Sequence, residues 1–266
     1  MTLLLFPPFA QRWANQDAFA EVERLEGKIY RAMPGRRTLR TEIDGRGYFV
    51  KIHHGVGWKE IGKNLLVGKM PVLGAAQEWR ALQRLAAARV PSMRVAAFGE
   101  RGGNPARRQS FLITEEIAPA IDLETLTQDW QTTPPACAPK YALIRALAEL
   151  LRNMHGAGVN HRDCYLCHFL LRTDVAGAPP ALAVIDLHRA QTRAAVPRRW
   201  RDKDLAALYV SALHIGLTRR DKLRFLRLYF ARPLRQVLRE EAALLPWLEK
   251  KSIRLLARFE THKDRL

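Results

Sequence analysis

From Arg36 to His53 the chain alternates. Thr38, Arg40 and Glu42 interleave with Leu39, Thr41 and Ile43, and Tyr48-Phe49-Val50-Lys51-Ile52 continues the pattern beyond Asp44-Gly45. A period of two, broken by an Asp-Gly pair, predicts a β-hairpin. From Gln77 to Ala88 the period lengthens. Trp79, Leu82 and Leu85 recur at helical spacing, and Pro91 follows just beyond, so a helix is expected there. Val95–Phe98 and Ser110–Thr114 are short apolar runs separated by a Gly- and Arg-rich stretch (100–109), which predicts another strand pair.

After Glu115-Glu116 the pattern turns helical. A Thr- and Pro-rich stretch (127–140) leads into an amphipathic helix carrying Leu143, Leu147, Leu150, Leu151 and Met154, with Gly156 or Gly158 to end it. Ala183–Asp186 reads as a buried strand ending in an acid, and from Asp202 onward the spacing is helical. A strand-rich beginning and a helix-rich remainder predict an α+β fold in two lobes. The small lobe would span 1–117 and include a basic insertion at 53–74, where Trp58, Ile61 and Leu65 share one helical face and Lys59 and Lys63 another. The larger helical lobe would span 118–266. The insertion reads as a surface helix or as an element docking a substrate or membrane face.

Composition narrows the setting. With 48% of 266 residues hydrophobic, the chain can bury a full core without disulfides. Its three cysteines suit a reducing, cytoplasmic compartment. MTLLLFPPFAQRW lacks a positive n-region and is interrupted by Pro7-Pro8, so it makes a poor signal peptide. No stretch approaches ~20 apolar residues. A soluble protein is expected, at most peripheral at the inner membrane. Forty-four Lys and Arg against 26 Asp and Glu give a net charge of +18. That excess concerns partners, not fold: nucleic acid, an anionic membrane face or an anionic substrate would each suit it.

HRDCYLCHFLL (His161–Leu171) carries the candidate chemistry. Phosphoryl transfer from ATP needs a lysine on the phosphates and a glutamate to fix it. It also needs an aspartate at the acceptor hydroxyl and a second aspartate to hold Mg²⁺. Lys51 sits mid-strand, Glu78 opens the next helix, Asp163 follows His161-Arg162, and Asp186 ends an apolar strand. Each alone is ordinary: a strand lysine, a dipole-favoured acid, two loose pairs. Their order is hard to obtain by chance. Backbone groups of Glu116, Ile117 and Ala118 would meet adenine. Lys203-Asp204 offers an acid at a helix start, either bracing the loop or simply capping the helix.

The departures are equally specific. No G-x-G-x-x-G is present, and His168 stands where protein kinases place a metal-binding asparagine. His168 would bind the metal with Asp186, orient Asp163, or be structural. These changes favour a kinase-like enzyme acting on a small molecule or sugar. Cys164-x-x-Cys167-His168 also matches a haem-attachment pattern, but haem needs an exported, oxidising setting, and a zinc site would still need a fourth ligand. Neither is expected; the cysteines should pack as small apolar residues under the loop.

Together, HRDCYLCHFLL, VIDLHRAQTR, RWRDKDLAALY and GRRTLRTEIDGRGYFVKIHHGVGW resemble the lipopolysaccharide core heptose(I) kinases (WaaP/RfaP), over nearly the whole chain. The resemblance implies a two-lobed protein-kinase-like fold and a Gram-negative enzyme using ATP and Mg²⁺ to phosphorylate inner-core heptose I, most simply at O4. It implies Asp163 as catalytic aspartate beside His161 and Arg162, Asp186 as metal ligand and Lys51 as phosphate-holding lysine. It also implies acyl carrier protein, a small acidic partner. Arg36, Arg37, Arg40, Arg193, Arg198, Arg199 and Arg201 would, as groups, read anionic inner-core sugars. The competing functions are an aminoglycoside-type phosphotransferase, which the positive charge disfavours, and a basic nucleic-acid binder, for which no module is visible.

Overall fold

The computed structural model describes residues 1–55, 57–66, 74–174 and 179–263, leaving aside the side chains of 59, 60, 64, 65 and 254–263. Helix and strand are mixed, as the alternating and helical periods require, and the chain divides into two compact units. One comprises 1–83, 93–118 and 187–189; the other comprises 84–92, 119–186 and 190–266.

The first unit is a six-stranded antiparallel sheet with short helices. In chain order come β1 (Thr2–Leu5), α1 (Phe9–Arg12), α2 (Ala18–Arg24), β2 (Lys28–Met33), β3 (Arg36–Ile43), β4 (Arg46–His53), α3 (Gly57–Leu66), α4 (Ala76–Ala87), β5 (Val95–Arg101) and β6 (Gln109–Glu115). The sheet order is β1-β5-β6-β4-β3-β2. The expected hairpin is β3–β4: Asp44 (φ 52°) and Gly45 (φ 72°) both adopt the left-handed conformation that a tight hairpin turn needs. Register then decides the faces. Thr38 lies opposite Lys51 and Arg36 opposite His53, while Leu39 lies opposite Val50. Leu39, Val50, Ile52, Phe111 and Ile113 therefore bury against Phe9, Trp13, Phe19 and Val22, with Phe9 edge-on to Tyr48 and Phe19 edge-on to Phe111. Lys51 and His53 point to the other face.

Two features here differ from the sequence reading. β2 was not expected, because all six of its residues are exposed and it carries no buried stripe to recognise. In α3, Ile61 is buried but Trp58 is 63% exposed, so the two do not share one packed face. The side chains of Lys59 and Leu65, and residues 56 and 67–73 of the basic insertion, lie outside the described residues.

The second unit is mainly helical. Its elements are β7 (Ala120–Asp122), α5 (Leu123–Thr127), α6 (Cys137–Gly156), β8 (Val159–Asn160), a 3₁₀ turn (Leu166–His168), β9 (Phe169–Arg172), β10 (Leu182–Val184), β11 (Gln191–Thr192), α7 (Arg198–Ser211), α8 (Arg219–Phe230), α9 (Leu234–Glu240) and α10 (Leu244–Lys263). Leu143, Leu147, Leu151 and Met154 form the buried stripe of α6, as their spacing predicts. α8 begins with a capping box between Thr218 and Asp221, satisfying N–H groups that the helix itself cannot. An open apolar cavity lies among Leu143, Leu147, Leu205, Tyr209, Phe225 and Leu248. No helix among the described residues is long and apolar enough to cross a membrane.

Gly158 makes the bend from α6 into β8. It has φ +77°, and a Cβ there would lie 2.0 Å from the Arg193 carbonyl oxygen. Gly158→Ala should therefore lower stability by about 2 kcal/mol or more, because strain and a backbone clash add. Chemical denaturation of the variant checks this.

Candidate functional site

Lys51 and Glu78 meet within the first unit. Lys51 Nζ lies 2.8 and 3.0 Å from the two Glu78 carboxylate oxygens, and both side chains are buried. Glu78 is in the first turn of α4, where the helix dipole favours an acid. Burying such a pair contributes little net stability, since desolvation offsets most of the attraction. Its value lies in holding one ammonium at a fixed place. Around it the field is positive. His53, 5% exposed, is pushed down to about 3 by burial first, then by Arg36, Lys51, His188 and His54.

The β2–β3 turn lies at the end of this sheet. Gly35 has φ +77° and approaches the chain so closely that a Cβ would sit 2.6 Å from the Gly55 carbonyl oxygen. The β3–β4 hairpin has only Gly45 and Gly47 and no G-x-G-x-x-G, so a loop over nucleotide phosphates must differ from that of protein kinases. Glu116 is differently employed than its place before Ile117 and Ala118 suggested. Its N–H donates to the Gly47 carbonyl at 2.8 Å, and its carboxylate accepts from Arg40 Nε and Nη2 at 2.8 and 2.7 Å. That N–H is therefore not left over for a nucleotide base.

In the second unit, His161–Asp163 form a loop after β8, and Asp186 lies two residues beyond β10. Asp204 holds the loop. Its Oδ2 accepts the His161 N–H at 2.6 Å, its Oδ1 the Arg162 N–H at 2.8 Å, and His155 Nε2 lies 3.1 Å from Oδ2. Asp204 is 1% exposed. It sits well inside α7, which starts at Arg198, so it is a brace and not the helix cap. The Tyr229 hydroxyl lies 2.6 Å from His155 Nδ1. The carboxylate accepts a hydrogen bond from Nε2–H, so in the neutral ring Nδ1 accepts from the phenol. Burial raises the Tyr229 pKa.

Two non-glycine residues in the candidate set adopt left-handed backbone: Arg162 (φ 74°) and Asp186 (φ 56°). Such conformations cost roughly 1–3 kcal/mol and persist only where surroundings enforce them. At Arg162 the enforcing group is Asp204, since hydrogen bonds to a charged acceptor contribute about 1.5–3 kcal/mol each.

His168 faces both aspartates. Its Nδ1 lies 2.6 Å from the Asp163 carbonyl oxygen, which can only accept, so Nδ1 carries the proton. In the neutral ring Nε2 is then a lone pair, 3.8 Å from Asp186 Oδ2. The ring stacks on His161 at 5.3 Å between centroids. His161 itself is fully buried, with Nε2 donating to the Ile185 carbonyl at 3.0 Å and burial lowering its pKa. Its ring is thus enclosed and holds the loop; it does not reach a substrate. Cys164 is fully buried, and burial pushes the Cys167 thiol up to about 11, with Glu124 and Asp122 adding to the effect. Both thiols stay protonated, which suits packing and not metal ligation.

Among the described residues no group of three or more His, Cys, Asp or Glu side chains is placed to hold a metal ion. Mg²⁺ needs fewer, because it commonly binds through one or two carboxylates with substrate phosphates and water completing its shell. Two neighbouring ligands on an octahedral ion, each about 2.1 Å away, lie about 3 Å apart. Asp186 Oδ2 and His168 Nε2, at 3.8 Å, would have to draw closer to share one ion, and Asp186 is the donor of the kind Mg²⁺ prefers.

Residues 20–229 match the lipopolysaccharide kinase (Kdo/WaaP) family. The chain belongs to that family. Family membership makes it a phosphotransferase with a hydroxyl acceptor, an enzyme and not merely a basic binder. It is 60% identical over 268 residues, the full length of both chains, to lipopolysaccharide core heptose(I) kinase WaaP of Pseudomonas aeruginosa. It is 51% identical over 253 residues to the WaaP of Escherichia coli, covering 94% of this chain and 96% of that one. A solved structure of WaaP in complex with acyl carrier protein superposes with a TM-score of 0.86 at 57% identity, covering 96% of this chain and 99% of that one. The family accounts for the kinase-like set of residues within an α+β fold.

The buried neutral His53 makes stability depend on pH. Its folded pKa lies below its unfolded value near 6.5, so the unfolded chain binds the extra proton. Stability is fully present above about 6.5 and falls towards 3, by up to about 1.4 kcal/mol per pH unit. Urea unfolding at pH 7, 6 and 5 should show this slope, and His53→Gln should flatten it.

Proposed function

We propose that this chain transfers the γ-phosphoryl group of ATP to a hydroxyl of heptose I in the lipopolysaccharide inner core, most simply O4. The observation that carries this reading is the loop geometry of the second unit: Asp204 holds the backbone just before Asp163, and His168 lies between the Asp163 carbonyl and the Asp186 carboxylate. Two heptose(I) kinases above 50% identity supply the acceptor class.

Each residue then has a task. Asp163 orients the heptose hydroxyl and accepts its proton as the oxygen attacks phosphorus in line. Lys51, held by Glu78, places its cation against the nucleotide phosphates. Asp186 and His168 Nε2 would hold Mg²⁺, which supplies electrostatic stabilisation of the phosphate oxygens. His168 Nδ1 at the same time fixes the Asp163 backbone. His161 positions the loop, and Arg162 contributes its backbone N–H to that anchoring. The Glu116 carbonyl and the backbone groups of Ile117 and Ala118 are the candidates for meeting adenine.

The partner seen with the solved WaaP extends to this chain on two grounds. A net charge of +18 attracts a small acidic protein, and the apolar cavity beside α6 and α7 suits an acyl chain. Work at a cytoplasmic membrane face, where a lipid-anchored acceptor resides, is consistent with the same charge.

Transfer of labelled phosphate from ATP to unphosphorylated, heptose-containing core should be observed with the wild-type protein. Asp163→Ala should reduce it by about 100-fold or more. Phosphorus NMR of the product should place the new ester on O4 of heptose I. Transfer retained in Asp163→Ala, or a product phosphorylated elsewhere, contradicts the assignment. Lys51→Met leaves Glu78 buried without its partner, which costs about 3–5 kcal/mol. Its expected loss of ATP binding should accordingly be measured well below its own melting temperature.

A further inference from the structure

The sequence offers seven arginines for anion recognition, and the structure sorts them. Arg40 is committed to Glu116, Arg201 to Asp202 and Glu241, and Arg198 to Glu241. Arg193 and Arg199 are placed differently. With Arg162 and Lys203 they surround one indole. The guanidinium carbons of Arg162, Arg193 and Arg199 lie 5.8, 5.5 and 4.9 Å from the Trp200 ring centroid, and Lys203 Nζ lies 4.2 Å from it.

Cations gathered around one ring repel one another more than a single quadrupole attracts them, because a cation–π contact at an exposed site is weak. Among the described residues no carboxylate forms an ion pair with Arg193, Arg199 or Lys203. The Lys203 ammonium is pushed below its usual range, by partial burial first and then by Lys251, Arg199 and Arg162. Arg193 is fixed by neutral acceptors, Asn160 Oδ1 at 2.6 Å and Gln191 Oε1 at 2.7 Å, which hold its fork without cancelling its charge. Trp200 and Lys203 share α7 with Asp204, and Asp204 anchors Arg162. The cationic patch and the loop bearing Asp163 are therefore built on one rigid support.

We propose that Trp200, Arg162, Arg193, Arg199 and Lys203 form an acceptor subsite for an anionic sugar adjoining the sugar that is phosphorylated. The indole covers the C–H face of the ring, and the guanidinium and ammonium groups receive its carboxylate or phosphate. This rests on the saccharide-kinase reading and goes beyond it by naming what selects the acceptor. A neutral or cationic acceptor gains nothing from such a patch, so the subsite disfavours aminoglycosides.

Equilibrium binding of unphosphorylated inner-core oligosaccharide, followed by calorimetry, tests the subsite independently of transfer. Three forms of the ligand serve as probes: intact, with carboxylates reduced to alcohols, and with any remaining phosphates removed enzymatically. Arg199→Gln combined with Lys203→Gln should weaken binding of the intact ligand about tenfold, the sum expected of two partly exposed charge contacts. ATP affinity and melting temperature should stay at wild-type values. Removing the relevant anion should weaken wild-type binding by a similar factor yet add little to the double variant. Whichever treatment does so identifies the anion as carboxylate or phosphate. Trp200→Phe should retain part of the affinity. Equal binding by wild type and double variant, or equal losses for charged and neutral ligands, overturns the subsite. Wild-type protein that binds the oligosaccharide but never phosphorylates it overturns the kinase reading instead and leaves the subsite standing.

Discussion

A single buried carboxylate sets the geometry of the candidate catalytic loop. Asp204 receives the backbone N–H groups of His161 and Arg162, residues more than forty positions earlier in the chain. Without those bonds the left-handed backbone of Arg162 would relax, because nothing in an arginine favours it. Net contributions of about 1.5–3 kcal/mol from each bond to the charged carboxylate together exceed a strain of roughly 1–3 kcal/mol, so the loop holds. His155 and Tyr229 in turn orient Asp204, which extends the support into α6 and α8. What reaches the surface from this network is Asp163, with His168 fastened to its carbonyl.

Charge is disposed by the same logic in both units. Where a cation is needed at one point, an acid fixes it, as Glu78 does for Lys51. Where surface charge merely has to be tolerated, acids neutralise it, as Glu241 does for Arg198 and Arg201. Around Trp200 no carboxylate among the described residues pairs with Arg193, Arg199 or Lys203, and around His53 burial and neighbouring cations together suppress protonation of the imidazole.

Much of this was legible in the sequence because strong periodicities and short motifs report local structure. The β3–β4 hairpin, α4, the β5–β6 pair and α6 followed from alternation, helical spacing and an Asp-Gly turn. Lys51 and Glu78 were recognisable as partners because a strand lysine and a helix-opening acid occur in order. The resemblance of the motifs to heptose(I) kinases agreed with the family to which the chain belongs. Other features were not legible for physical reasons. β2 has no buried face, so it leaves no pattern. Asp204 could be read as loop brace or as helix cap, and only the start of α7 at Arg198 decides for the brace. The pairing of Arg40 with Glu116 depends on strand register, which composition does not record. His161 looked reactive beside Arg162-Asp163, yet only burial shows that its ring is enclosed.

The claim that matters most is that Asp204 acts through loop geometry and not merely through stability. Single-turnover phosphate transfer by Asp204→Asn, measured well below its melting temperature alongside circular dichroism, tests it most directly. The account predicts a folded protein that binds ATP nearly as well as wild type and transfers phosphate about 100-fold more slowly. A folded Asp204→Asn protein that transfers phosphate within about twofold of the wild-type rate would contradict it.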